Sequence, residues 1–385
     1  QRQIQGYKFS INAKNRLMLF SDQNGEKNSM IPSQLNTLNV FNGSDAGSRI
    51  FFGQDNIDLE AAIEIFARFT GNLQSIIVVC QKSSTYLLFG NTPEDWKVPA
   101  MPVSSEIGCS APLTMKASPI GFEFSPLNTK QVAIWLHSTG VYMYDPDNGL
   151  NLISNDIKDV FDQRKSNAIN LSAIDESSAG WNIFNGDYFY HLLYPSGSAT
   201  DCDKETIFDL RRQKWYTIDR TKASGTNKDL QVIAEVKDAK GVNYTYGAED
   251  IGHVQRLNNG TDFDGNDIVA NLRIADIAFE KGSTLLVTQP TFVQMPMVAK
   301  NSTSSNVICT HFVNQKTAGV DFTLEPAKTD ELAIPSMKQG TNLDSGVFHS
   351  FAASLTTNDE TTPFEPLFMS LKYITKPPKW IKSVD

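Results

Sequence analysis

Two oxygen-rich stretches are the first places where this sequence could do chemistry. Asp145-Pro146-Asp147-Asn148-Gly149 and Asp262-Phe263-Asp264-Gly265-Asn266-Asp267 set carboxylates two residues apart on turn-forming chain. Such turns bind Ca²⁺ when enough oxygens converge, which makes Asp145, Asp147, Asp262 and Asp264 the candidate metal ligands. Neither stretch runs on into a twelve-residue loop with a terminal bidentate glutamate. A structural turn is therefore the expected role, with no metal and no cofactor.

The other reactive side chains are scattered. Cys80, Cys109, Cys202 and Cys309 form no CxxC pair, and Cys80 lies in an apolar run, so buried free thiols are expected. His137, His191, His253, His311 and His349 show no metal-ligand spacing. The aromatic pairs Trp181/Phe184, Tyr188/Tyr190 and Trp215/Tyr216 could stack on sugars, but core packing is the favoured reading. No GxSxG, HExxH, P-loop or dinucleotide fingerprint occurs, nor a sialidase-type Ser-x-Asp-x-Gly-x-Thr-Trp box. The expectation is a protein that is not an enzyme. A catalytic alternative would be a glycosidase with two facing carboxylates, which spacing alone cannot reveal.

The elements that must position these residues are short strands. Ile76–Cys80 and Thr85–Phe89 are β-branched and aromatic runs separated by Gln81-Lys82-Ser83-Ser84, a hairpin signal. Val132–His137 and Val141–Tyr144 flank Ser138-Thr139-Gly140, where Gly140 could supply a positive φ, and Asp145–Gly149 is a second turn. Asn185-Gly186 between Trp181–Phe184 and Asp187–Tyr194 is the strongest hairpin signal of all. Thr206–Asp209 with Trp215–Asp219, and Leu230–Val236 with Val242–Tyr246, repeat the pattern. Ile57–Phe69, rich in Ala, Glu and Leu, is expected to hold one or two helical turns, and Ile157–Phe161 is either a short capped helix or a strand end. Asn91–Lys116, with four prolines, is expected to run over one face, and Asp175–Gly180 to be a linker. From Ile268 the runs lengthen.

These features predict an all-β fold: an irregular β-propeller over residues 1–267 and a β-rich, sandwich-like portion over 268–385. Clear sequence repeats of the tryptophan–aspartate or kelch kind are absent. At 385 residues there is length for one large all-β domain or two smaller ones. Hydrophobic content of 40% fits a folded protein and excludes a disordered one. A net charge of −9 argues against gripping nucleic acid through its phosphates. No apolar run reaches membrane-spanning length. The chain begins at Gln1 without a methionine, so a processed or trimmed piece of something longer is expected.

Several blocks, in order, resemble the β-propeller tail proteins of short-tailed bacteriophages, the tail nozzle or stabilization (tail accessory) proteins. They are LQSIIVVCQKSSTYLLFG at 73–90, EIGCSAP at 106–112, STGVYMYD at 138–145 with LISNDIKDVF at 152–161, IFDLRRQKWYTID at 207–219, and YTYGAEDIGHVQRLNNGTDFDGNDIVANLRI at 244–274. The likeness runs discontinuously from about 14 to 280; the last hundred residues are similar mainly in texture. Residues before the first hairpin are fewer than that family usually shows. The resemblance implies a virion structural protein in a closed homo-oligomeric ring, a hexamer, that closes or extends the DNA-ejection channel. It implies partners on the adaptor or portal side and among the tail fibres, DNA passing without specific binding, no membrane insertion, and assembly in the host cytoplasm. A glycan- or receptor-binding propeller at the tail tip is the alternative, and a polysaccharide-degrading propeller a more distant one. The five Asn-x-Ser/Thr sequons, at Asn42, Asn170, Asn243, Asn259 and Asn301, would then be chance in an Asn-rich chain.

Overall fold

Alternating apolar side chains pair as antiparallel meanders along most of this chain, described from a computed structural model. The structure describes residues 6–376 except 43–45, 47, 70–71, 98–99, 120–122, 126–127, 185, 221–228, 251, 261–267, 280–286, 296, 299–306, 325–331, 334–342, 358–364 and 367–368.

Five sheets follow one another in chain order. The first joins β1 (Tyr7–Ala13), β2 (Arg16–Asp22), β3 (Ser29–Pro32) and β4 (Ile50–Phe51). The second joins β5 (Leu59–Phe69), β6 (Asn72–Gln81), β7 (Thr85–Leu88) and β8 (Met101–Ser104). The third is β9 (Lys116–Ala117), then β12 (Ala133–His137), β13 (Gly140–Asp145) and β14 (Gly149–Leu152), with a side hairpin of β10 (Glu123–Ser125) and β11 (Asn128–Thr129). The fourth is β15 (Ser178–Phe184), β16 (Asp187–Tyr194), β17 (Lys204–Asp209) and β18 (Lys214–Ile218). The fifth is β19 (Leu230–Lys237), β20 (Asn243–Glu249) and β21 (Val254–Arg256).

Each pair of neighbouring sheets shares a core. Met18, Phe20 and Phe52 meet Leu59, Ile77 and Val79 between the first two. Ile65, Ile76, Val78 and Cys80 meet Trp135 and Tyr144 between the second and third. Ile134, Val141 and Met143 meet Trp181, Tyr190 and Phe208 between the third and fourth. Leu193 and Cys202 meet Leu230 and Ile233 between the fourth and fifth. Four- or three-stranded meanders stacked face to face in chain order are the blades of an irregular propeller, so this part of the chain has that all-β architecture.

The chain falls into two compact units, residues 1–220 with 228–259, and 221–227 with 260–385. In the second unit, β22 (Ile268–Arg273), β25 (Val307–Val313), β26 (Val320–Leu324) and β28 (His349–Thr357) form one sheet in the order β22-β28-β25-β26. β23 (Val287–Gln294) pairs with β30 (Ser370–Lys376), while β24 (Met297–Val298), β27 (Leu332–Ala333) and β29 (Glu365–Pro366) make a short third sheet. Val293 and Met295 pack against Val307, Cys309, Phe322 and Phe351, closing a sandwich-like core.

Several expectations need correcting. Leu59–Phe69 is a strand, not helix: its residues pair along β6, and both faces of the sheet are buried, Leu59 on one side and Ala61, Ile65 and Ala67 on the other. Packing on two faces overrides a helix-forming composition. Asn91–Lys116 does not simply run over a surface. Gly108–Ala111 is buried between sheets, with Cys109 N–H donating to Gln81 O and Ser110 N–H to Leu136 O. A Cβ on Gly108 would collide with the Gln81 carbonyl oxygen, which is why glycine stands there. Asp175–Gly180 is likewise no linker, since β15 begins at Ser178. The undecided stretch at Ile157–Phe161 falls in two short 3₁₀ turns within Asn155–Phe161, separated by a kink at Ile157.

At the third sheet's hairpin the tight turn is Ser138-Thr139, and Gly140 is already strand, paired with His137. Its φ of 158° is positive, as the sequence leads one to expect, and is a value that L side chains rarely adopt. A Cβ there would in addition meet Leu152 Cδ1 at 2.5 Å. Gly186 does carry a positive φ, 81°, between the paired Phe184 and Asp187. Its neighbour Asn185 lies outside the described residues.

Candidate functional site

Asp145 ends β13 at the turn that leads through Asp147 and Asn148 to Gly149. Its Oδ1 accepts the Asp147 N–H at 3.0 Å, the self-closing bond that makes aspartate a turn residue. The Asn148 amide donates to Oδ2 at 2.6 Å. The Lys130 ammonium fills the position a cation would take, 2.6 Å from Asp145 Oδ1 and 2.8 Å from Asp147 Oδ2. Burial by itself would lower the Lys130 pKa, but hydrogen bonds to Asp145 and Asp147, and then their charges, raise it. The same surroundings push the Tyr144 hydroxyl up, through burial first and the two aspartates next. Of the four candidate metal ligands, Asp145 and Asp147 therefore come together around a lysine. Asp262 and Asp264 lie outside the described residues. Among the described residues no three His, Cys, Asp or Glu side chains gather as a metal site would need.

This turn borders a groove of about 750 Å³ between the third and fourth sheets, within the usual size of ligand sites. β14 and the Asn155 turn supply Asn151, Leu152 and Asn155; the β17–β18 turn supplies Gln213 and the start of β18 Lys214; Phe208 closes the floor. Trp215 fixes the two walls relative to each other, its indole N–H donating to Ile153 O at 2.7 Å. Lys214 pairs with Asp156 at 3.1 Å. A second concavity of about 530 Å³ shares Leu152 and Asn155 with the first, and is lined by Ser154, Lys158, Asp159, Asp162, Arg164 and Lys165. Arg164 forks onto Asp162 with two 2.8 Å bonds. These bonds, from the side chain first and the backbone N–H second, hold the Asp162 carboxyl down to about 2.

The aromatic pairs are split. Trp181 packs edge-on against Tyr190, whose hydroxyl donates to Thr114 O at 2.8 Å, and Trp215 rests on Phe208. Those rings are core, as expected, while Phe184 and Tyr216 are about half exposed. All four cysteines are buried and free. Burial pushes the Cys80, Cys202 and Cys309 thiols up to about 12, so none is poised as a nucleophile.

Two clusters escaped the sequence reading. His191 Nδ1 lies 2.6 Å from Glu205 Oε1, and Arg220 Nε donates to Glu205 Oε2, all three within the fourth sheet and its exit. In the second unit, His311 Nε2 and His349 Nδ1 lie 2.9 Å apart, in a stack of rings with Phe279 and Phe351. His349 Nε2 also meets Thr288 Oγ1 at 2.8 Å and Gly346 O at 3.0 Å. Residues 14 and 38 apart leave no local spacing signal, so only pairing across strands brings them together.

No family model and no curated protein matches this sequence. Among solved structures, an exo-β-1,3-galactanase from Phanerochaete chrysosporium is similar at 10% identity and TM-score 0.32, over 95% of this chain and 94% of that one. A glycoside hydrolase family 43 arabinoxylan arabinofuranohydrolase from Bacillus subtilis gives 9% identity and TM-score 0.28, over 94% and 93%. BBS1N, crystallised with ARL6DN, gives 10% and 0.31, over 93% and 92%. Likeness at this level carries no argument about function.

Proposed function

We propose that this chain is a non-enzymatic structural subunit of a bacteriophage tail, one propeller in a homo-oligomeric ring that closes or extends the DNA-ejection channel. The kind of assembly comes from the resemblance of its sequence blocks to the tail propellers of short-tailed phages. The observation that favours a structural role is the use made of the buried charges. Glu205 is held between His191 and Arg220, and Lys130 between Asp145 and Asp147, so these charges brace strands and turns inside the chain. A glycosidase would instead present two free carboxylates across a sugar-sized gap. Asp145 and Asp156, the carboxylates that line the larger groove, are each tied to a lysine.

The charge balance suits a DNA channel. Each phosphate neutralised by Lys or Arg adds salt-dependent affinity and would slow passage, whereas a net charge of −9 repels the duplex. The long, polar segments Ser21–Gln34, Asn91–Lys116 and Ala327–Ser345 are the first places to look for contacts with neighbouring subunits. The first two hold buried strand or inter-sheet segments, including Met30 and Cys109, and most of the third lies outside the described residues. The edge strand β21, with Val254 exposed, is the better candidate. The purified chain should bind duplex DNA no tighter than ordinary acidic proteins at physiological salt, and should be found in purified virions. Submicromolar, salt-sensitive DNA binding would overturn the channel reading; absence from virions would overturn the tail assignment.

A further inference from the structure

We propose that the double groove between the third and fourth sheets binds an acidic oligosaccharide. The amides of Asn148, Asn151, Asn155 and Gln213 would meet its hydroxyls, and Lys158 with Lys165 its carboxylate or sulfate. This goes beyond the structural role, which needs no ligand, and stands or falls separately from it.

Most of the charges around the larger cavity are already neutralised. Lys130 is paired with Asp145 and Asp147, and Lys214 with Asp156. The larger cavity is thereby lined with amides rather than free charge. An amide offers both donors and an acceptor, the complement of a hydroxyl that does both on one atom. Asn155 and Gln213 make no side-chain hydrogen bond among the described residues, and they stand on opposite walls. Leu152, 39% exposed, gives an apolar ridge shared by both cavities, against which the C–H face of a sugar ring can lie.

The smaller cavity has the opposite bias. Lys158 and Lys165 form no ion pair among the described residues; with Asp159 as the one unpaired carboxylate there, it carries a surplus positive charge in a chain of net −9. One continuous ligand that reaches both cavities across Leu152 must then be polyhydroxylated at one end and anionic at the other.

Two other occupants fit less well. An extended peptide adding to the β14 edge needs a run of open backbone groups, and Ile153 O at the end of that edge is already taken by the Trp215 indole. A nucleic acid would present a row of phosphates to only two unpaired lysines.

The test is an array of neutral, uronate-bearing and sulfated oligosaccharides probed with the labelled full chain. The expected result is retained binding on acidic glycans. That binding should fall at least tenfold in Lys158→Ala/Lys165→Ala and in Asn155→Ala/Gln213→Ala, two exposed pairs whose replacement should leave the melting temperature unchanged. Binding to neutral glycans alone, no glycan binding, or acidic-glycan binding that either double variant leaves intact would overturn the proposal. So would tighter binding to duplex DNA or to a peptide array than to any glycan. None of these results depends on whether the chain is found in virions.

Discussion

Replacing Glu205 with Gln tests the idea that buried charges are the braces of this fold. The carboxylate is 6% exposed and held by His191 on one oxygen and Arg220 on the other. Burial alone would raise its pKa. The hydrogen bonds from His191 and Arg220, and then their charges, reverse that and bring it from the usual 4.5 down to about 2. At roughly 1.4 kcal/mol per pKa unit, this is about 3 kcal/mol of stability at neutral pH. Breaking a buried ion pair from one side typically costs a similar amount, about 3–5 kcal/mol, because the partners stay buried without their counter-charge. For a unit of this size the melting temperature should drop by roughly 10 °C. The pH dependence carries the sharper signature. A carboxyl depressed in the fold contributes its full share above the unfolded value of 4.5 and loses it as pH falls through about 2. Glu205→Gln should therefore flatten that acid limb as well as lower the whole curve. Calorimetry of both proteins from pH 7 to pH 2 reads both effects. A variant that melts within about 2 °C of the parent, with the same acid limb, would refute the account.

Other outcomes follow from the same geometry. Lys130→Met leaves Asp145 buried without its counter-ion and should cost at least about 3 kcal/mol in urea unfolding, with no loss of strand signal in the native baseline. Gly186→Val forces a β-branched residue to φ 81° and should cost about 1–2 kcal/mol by the same measurement, although a Cβ there meets nothing within 4 Å. Burial first, and the neighbouring His349 second, push the His311 imidazole down to about 4. The fold then keeps that ring neutral. Its contribution is complete above the usual 6.5 and declines as pH falls toward 4. His311→Phe, which keeps a ring in the stack, should make acid unfolding over that window shallower, as followed by far-ultraviolet circular dichroism.

Hairpins were legible because their signals are local. Alternation at period two, broken by a turn residue, places Phe184 opposite Asp187 around Gly186 and Ile77 opposite Leu88 across the Gln81–Ser84 turn. The oxygen-rich turn at Asp145 was legible for the same reason, since the bond from Asp147 N–H spans two residues. What that turn holds was not. Lys130 is fifteen residues upstream of Asp145, brought there by the pairing of β12 with β13.

The sequence by itself therefore determined the all-β class, the position of most strands and the left-handed glycine of the Gly186 turn, because each rests on contacts within a few residues. Tertiary structure decided the rest. Leu59–Phe69 became a strand only because sheets cover both of its faces, and Gly108–Ala111 was drawn inside because Gln81 O and Leu136 O needed donors. The Glu205 brace, the His311–His349 pair and the amide-lined groove depend on register and on which sheets stack. Those are settled by burying apolar area between elements far apart in the chain, and no spacing rule encodes them.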